Sequence, residues 1–275
     1  MEKPVHPYLP QMTNAGVRPT HTVSAINEKG EAKEVEIAGE LPLTILVDGC
    51  EIVTLMTLGT HPEQLALGYL RNQQLIKEIE TIESVRVDWE NESVHIKTKD
   101  GIGEQLQGKL SKRTVTTGCG QGTIFSCTID GLYEKKLIPI TLRQSQLTEL
   151  MKALARYNEI YKAAGAVHGC ALCSTNEVDI FVEDVGRHNA ADTIAGKMWL
   201  DRIPGQSKIF YSTGRLTSEI VMKAALMEIP AIISRSGITY MGLNLAQDLG
   251  MIMIARFKGE KFLIYNGQDH FIHDL

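Results

Sequence analysis

From residue 166 onwards the chain alternates between short apolar runs and longer segments of helical period, and few folds accommodate that pattern. Strand-like runs fall at 166–172, 178–182, 208–212, 231–234, 251–255 and 261–265. Helical patterns fall at 190–200, 218–227 and 240–249. Strands that are apolar throughout are buried on both faces, so helices must cover them, and the expected class is α/β, a layered sheet carrying helices. The earlier part is organised differently. Residues 1–34 hold Pro4, Pro7, Pro10 and Pro19 with little apolar period, which predicts an extended or partly disordered arm. Residues 35–140 predict a smaller α+β part. Asp48-Gly49 is a turn signal between two strands, Thr60 is an expected helix cap ahead of Pro62 and Glu63, and 85–89 with 93–97 alternate as a hairpin. The glycine-rich segment 101–131 has no period and predicts a mobile loop. An amphipathic helix is expected over 145–164, opening the cofactor-binding α/β part assigned to 141–275.

Composition narrows the partners. The net charge is −5 over 275 residues and the sequence pI is about 5.9. No overall basic field draws the chain to nucleic acid or to an anionic membrane, so an anionic ligand needs a local cluster of cations. No apolar run reaches the ~20 residues of a membrane span, and the start lacks the plan of a secretory signal. Five cysteines, an odd number, do not suggest a disulfide framework. These features predict a cytoplasmic protein with reduced thiols.

The densest chemistry lies at the end of the 178–182 run. Glu183, Asp184, Gly186, Arg187, His188, Asn189 and Asp192 fall within ten residues. Burying such groups unpaired costs roughly 1–3 kcal/mol each. A helix start with Asp184 as cap uses only one of them, so a site for anion binding or proton chemistry is the stronger expectation. His168, on a neighbouring strand, can face the same site. Two turns at successive strand ends, Ser212-Thr213-Gly214-Arg215 and Ser234-Arg235-Ser236-Gly237, add arginines and backbone N–H groups. Arg215, Arg235 and Lys258 are therefore expected to line one phosphate-binding crevice with the 183–189 motif.

Cys119 sits among Gly118, Gly120 and Gly122, near Lys112 and Arg113, as an accessible thiolate requires. An incidental surface thiol has the same setting. Cys127 follows eight residues later and suits either a resolving thiol or a small packed side chain. Cys170 and Cys173 form a CxxC, but on a strand they point to opposite faces, and a zinc shell lacks further ligands. No metal site is assigned.

The motif Glu183-Asp184-Val185-Gly186-Arg187-His188-Asn189, the run from Ser212 to Val221 and Ser234-Arg235-Ser236 resemble the FdhD-type formate dehydrogenase accessory sulfurtransferase family. Glu40-Leu41-Pro42-Leu43, Val47-Asp48-Gly49 and Leu65-Ala66-Leu67-Gly68-Tyr69-Leu70 extend the resemblance over about residues 35–267. It implies a cytidine-deaminase-like fold. It also implies a sulfur carrier that accepts persulfide sulfur from a cysteine desulfurase and passes it to the molybdenum (or tungsten) bis(molybdopterin guanine dinucleotide) cofactor of formate dehydrogenase. The cofactor would be a bound substrate, with no permanently bound metal. The family's reactive loop carries two cysteines in a C-G-x-C-G pattern. Cys119-Gly120-Gln121-Gly122 keeps the first and lacks the second, so Cys119 becomes the persulfide candidate, and a cofactor-binding chaperone without sulfur transfer is the alternative. Arg256, Phe257, Lys258, Gly259, Glu260 and Lys261 match the family's cofactor-contacting segment. Monomer and homodimer are both open to such a chain. A deaminase-type zinc hydrolase fits poorly, because no glutamate accompanies His168-Gly169-Cys170.

Overall fold

The computed structural model describes residues 8–103, 113–115, 123–125 and 136–275. Three strands fall within or overlap the expected arm. After β1 (Gln11–Met12), β2 (Thr20–Ile26) and β3 (Ala32–Ala38) form an antiparallel hairpin. Its turn is closed by Asn27, whose Oδ1 accepts from the N–H groups of Lys29 and Glu31 at 2.9 Å. Both strands are mostly exposed, so no apolar alternation marks them in the sequence.

β4 (Leu41–Val47) and β5 (Cys50–Thr57) pair through the expected turn, where Asp48 and Gly49 both take positive φ. α1 (Pro62–Asn72) follows. Its cap position is His61 rather than Thr60, without a side-chain cap bond, and Pro62 occupies the first turn. Glu63 is turned away from capping. Its Oε1 accepts from Thr13 Oγ1 and Ala15 N, both at 2.7 Å, and so straps the N-terminal segment across the helix start. β6 (Ile82–Asp88) and β7 (Ser93–Thr98) complete a five-stranded sheet of order β1-β6-β7-β4-β5. Short strands β8 (Arg113–Val115) and β9 (Thr123–Phe125) pair with each other.

β10 (Leu142–Arg143) leads into α2 (Gln144–Tyr157) and α3 (Glu159–Ala164), where one helix was expected. Asn158 leaves helical geometry and bonds back to the Leu154 carbonyl. The remaining elements are β11 (His168–Cys173), β12 (Val178–Asp184), α4 (Arg187–Leu200), β13 (Ile209–Ser212), α5 (Ser218–Leu226), β14 (Ala231–Ser234), α6 (Tyr240–Leu249), β15 (Ile252–Lys258), β16 (Lys261–Asn266) and β17 (Phe271–Ile272). β11 to β16 build a six-stranded mixed sheet of order β12-β11-β13-β14-β15-β16, in which β13, β14 and β15 run parallel, while β17 pairs with β10. The expected α/β layering is present. Alternate residues of each strand enter two cores: Cys170, Phe210, Ile232 and Met253 pack under α4, α5 and α6, whereas Ala171, Tyr211, Ile233 and Ile254 pack under α2.

The two sheets are joined where α1 crosses α4. A Cβ on Gly68 would lie 1.6 Å from the Asp192 carbonyl oxygen, and one on Gly196 would lie 1.9 Å from that of Gln64. Backbone therefore touches backbone. Asn72 and Lys223 reinforce the crossing by donating to the two oxygens of buried Asp192, at 2.8 and 2.5 Å. Alanine favours a helix interior over glycine by about 1 kcal/mol, but the overlap at this crossing forces the helices apart and dominates. Gly68→Ala is expected to lower stability by roughly 2–4 kcal/mol in urea unfolding. Gly237→Ala, with nothing within 4 Å of the new methyl, serves as the neutral control.

Candidate functional site at one edge of the mixed sheet

Parallel strands end on the same edge, and β11 begins there because it runs antiparallel to its neighbours. His168 pairs with Asp184, Cys170 with Ser212, and Ser212 with Ser234. The turns leaving β13 and β14 are locked by two buried serines. Ser212 Oγ accepts from Gly214 N at 3.1 Å, while Ser234 Oγ accepts from Ser236 N and donates to the Gly214 carbonyl at 2.6 Å. Arg235 N donates to Ser212 O and Arg256 N to Ser236 O, so the three turns lie side by side.

The 183–192 motif, expected to join an anion crevice, forms a largely buried junction at this edge. Glu183 and Asp184 are successive strand residues and point to opposite faces. The Glu183 carboxylate accepts from Ile160 N at 2.9 Å and Tyr161 N at 2.8 Å, starting α3. Asp184 accepts from Thr57 Oγ1 at 2.5 Å and from Leu58 N, Gly186 N and Asn189 Nδ2 at 2.9–3.2 Å. Burial raises its carboxyl pKa against the pull of those donors. Asn189 also donates to Met56 O at 2.6 Å. Arg187 is buried, and its side chain runs past Gly214, where a Cβ would meet Arg187 Cδ at 2.7 Å. His188 is 3 % exposed, with Nε2 3.3 Å from the Glu219 carboxylate. Burial, then the charges of Lys223 and Arg187, push its pKa down to about 2, so the ring is neutral.

Accessible chemistry lies on the α2 face of the same edge. Two cavities of about 350 and 260 Å³ adjoin there, and Arg235 lines both. The larger is walled by Met151, Tyr211 and Phe257, with Thr148, Gly259 and Glu260. The smaller is bounded by Asn158, Tyr161, His168 and Thr213. A bulge in β15 sets this up: Arg256 takes φ 56° and stays exposed, while Phe257 turns inward to 1 % exposure and stacks on Phe262 at 5.0 Å. Tyr211 is buried beside Arg235, and burial pushes its phenol up to about 12. His168 Nδ1 lies 3.4 Å from Thr213 Oγ1, and burial, followed by the charges of Arg187 and Arg215, lowers its pKa. A neutral imidazole, a shared guanidinium and a flat aromatic wall suit a planar heterocycle carrying anionic groups.

The expected site residues therefore divide. His168, Arg235, Phe257, Gly259 and Glu260 line the groove. Arg215, Arg256, Lys258 and Lys261 are exposed and line neither cavity, and the 183–189 residues are spent on internal contacts. Cys119 and Cys127 lie outside the described residues, as does most of the 101–131 loop. Cys170 and Cys173 are buried on opposite faces of the sheet, as alternation predicts. Burial raises both thiols, that of Cys170 to about 12, so neither is a thiolate at neutral pH. Among the described residues no three His, Cys, Asp or Glu side chains form a metal cluster, and no helix is long and apolar enough to cross a membrane.

Thr148, Met151, Tyr211, Asn158 and Tyr161 are groove residues that no sequence motif marks, whereas Thr213 belongs to the expected Ser212–Arg215 turn. Only strand alternation could have placed Tyr211 opposite Phe210, on the α2 side.

A mixed sheet with an arginine-lined groove at its parallel-strand ends defines a protein of α/β class with a candidate site at that edge, and comparison with known proteins places it further. A sequence model of the FdhD/NarQ family matches residues 38–272, and the chain belongs to that family. It is 33 % identical to the sulfur carrier protein FdhD of Bacillus pumilus over 85 % of this chain and 89 % of the relative. It is 30 % identical to that of Wolinella succinogenes, over 86 % and 82 %. Its fold is similar to the crystal structure of a protein from Desulfotalea psychrophila described as a formate dehydrogenase accessory protein, with TM-score 0.73, 25 % identity, and 92 % and 98 % of the two chains covered.

The buried imidazoles set a pH dependence. His188, and His61 with its pKa lowered to about 4 by burial and then Lys197, bind protons less readily folded than unfolded, where an imidazole titrates near 6.5. Stability is therefore full above about pH 6.5 and falls with pH below it, by roughly 1 kcal/mol per unit for His188 and less for the more exposed His61. Asp184, raised by burial, acts in the opposite sense from the ordinary carboxylate range upward. Thermal unfolding from pH 7.5 to 5 should show a falling midpoint, with a shallower slope in His188→Gln. Equal slopes would rule out a buried neutral ring.

Proposed function

We propose that this chain is a cytoplasmic sulfur carrier that accepts persulfide sulfur from a cysteine desulfurase and delivers it to the molybdenum (or tungsten) bis(molybdopterin guanine dinucleotide) cofactor destined for formate dehydrogenase. The observation that carries the reading is the groove, in which Arg235 joins an aromatic-walled cavity to one lined by His168. A dinucleotide-bearing cofactor offers flat rings and phosphates in alternation, and the groove offers matching partners. Family membership supports the sulfur chemistry, and we read the six-stranded sheet as the deaminase-like core that the family resemblance implies.

Cys119 is the proposed carrier. Its thiolate attacks the terminal sulfur of the desulfurase persulfide, the enzyme's own cysteine leaves as thiolate, and Cys119 retains the new S–S bond. The single cysteine of Cys119-Gly120-Gln121-Gly122 keeps one rival reading in view, a chaperone that binds the cofactor without moving sulfur.

Intact mass after incubation with a cysteine desulfurase and cysteine separates the two. A carrier gains ~32 Da, and the gain disappears in Cys119→Ala. A chaperone gains nothing yet still supports cofactor insertion. Arg235→Glu should weaken GDP binding by about tenfold or more, because it replaces a charge-assisted donor with a repelling acid.

A further inference from the structure

Arg215, Tyr240, Met241 and Arg256 are exposed at the same edge yet line neither cavity. Backbone contacts hold them in one row. Leu216 bridges to Ile238, with Leu216 N donating to Gly237 O at 3.0 Å and Thr239 N to Leu216 O at 3.1 Å. On the other side, Arg256 N donates to Ser236 O at 2.9 Å. The turn carrying Arg235 thus lies between that of Arg215 and the β15 bulge of Arg256, and α6 starts from this middle turn. Thr239 Oγ1 accepts from Gly242 N at 3.2 Å, and a Cβ on Gly242 would meet Leu216 O at 3.0 Å. Gly242 therefore packs inward, and Tyr240 and Met241 stand out from the helix start, 79 % and 62 % exposed. Neither Arg215 nor Arg256 forms an ion pair among the described residues. Residues 213–218, 235–241 and 256–258 contain no acid, and Glu219, just beyond the first, is buried against His188.

We propose that this row is the docking surface for a protein partner whose face presents carboxylates around an apolar notch, and that the partner is the protein that receives the cofactor. Tyrosine, methionine and arginine are the residues enriched in the cores of protein–protein interfaces, where lysine and the acids are depleted. Scattered apolar residues on a surface are ordinary, but two adjacent ones held on a fixed helix start lose little freedom on contact. Charge selects the partner. The chain as a whole carries −5, yet these three turns carry only cations, so a face with carboxylates pairs here and is repelled by the rest of the surface. Position selects the recipient. The middle turn also carries Arg235, which lines the groove, so a protein held by Tyr240 and Met241 stands beside the place from which the cofactor leaves. The inference rests on the reading of the groove given above and adds to it the surface on which delivery takes place.

Biolayer interferometry of the full-length chain against a formate dehydrogenase purified without its cofactor tests it. Wild type should bind, and the affinity should fall as salt rises from about 0.05 to about 0.5 M. Replacing Tyr240→Ser and Met241→Ser together should weaken binding by at least about tenfold at any salt. Arg215→Glu should weaken it at low salt and much less at high salt, where the charges are screened. Ile26→Ser, on the exposed β2–β3 hairpin, should bind as wild type does. All these variants should still gain sulfur in the mass assay and bind GDP, because none of the altered residues lines the groove. Unchanged affinity in the Tyr240 and Met241 double variant overturns the proposal, as does a failure of wild type to bind, and in either case the mass and GDP assays judge the groove reading separately. A wild-type dimer in sedimentation that the double variant breaks, with affinity for the dehydrogenase unaltered, gives the surface to a second copy of the chain and overturns the proposal as well.

Discussion

Everything distinctive in this molecule depends on two helices meeting without side chains between them. At the crossing of α1 and α4, Gly68 and Gly196 let each backbone rest on the other's carbonyls. Such contact brings the start of α4 close enough to β5 for Asp184 and Asn189 to bond Thr57, Leu58 and Met56. Larger residues at the crossing would separate the sheets by more than a hydrogen bond can span. The buried Asp192–Lys223 pair belongs to the same arrangement. An ion pair so deeply buried adds little net stability but is costly to leave half-made, and it ties α5 to the crossing.

With the layers fixed, strand direction does the rest. Three parallel strands deliver their outgoing turns to one edge, and the buried hydroxyls of Ser212 and Ser234 hold those turns in register. Arg235 emerges between them at a place where α2 on one side and the β15 bulge on the other leave open space. The groove is thus a product of topology, filled in by a few side chains. The cations Arg215, Arg256 and Lys258 are exposed at this edge and line neither cavity.

Much of this was legible in the sequence. Apolar strand runs and the helices between them gave the layered sheet almost element by element, because residues buried on both faces leave an unbroken apolar signature. The β2–β3 hairpin leaves none, since its strands are mostly exposed and Asn27 closes its turn. The break at Asn158 was hidden for a different reason: the amphipathic period runs across it, and what restarts the helix is a carboxylate from a distant strand. The 183–192 cluster was correctly read as too polar for an ordinary core. Sequence shows its polarity but not its pairing, in which the side chains of Glu183, Asp184, Asn189 and Asp192 bond partners across the junction. Tyr211 and Thr148 went unnoticed as groove residues because each looks like one more member of a buried stripe.

The end of β12 has a mechanical consequence. Glu183 and Asp184 are neighbours on one strand, yet one holds α3 on one face and the other holds the β5–α1 connection on the opposite face. The two carboxylates act as a rivet driven through the sheet. Tyr161, which walls the smaller cavity, is thus tied to the five-stranded unit through two carboxylates one peptide bond apart.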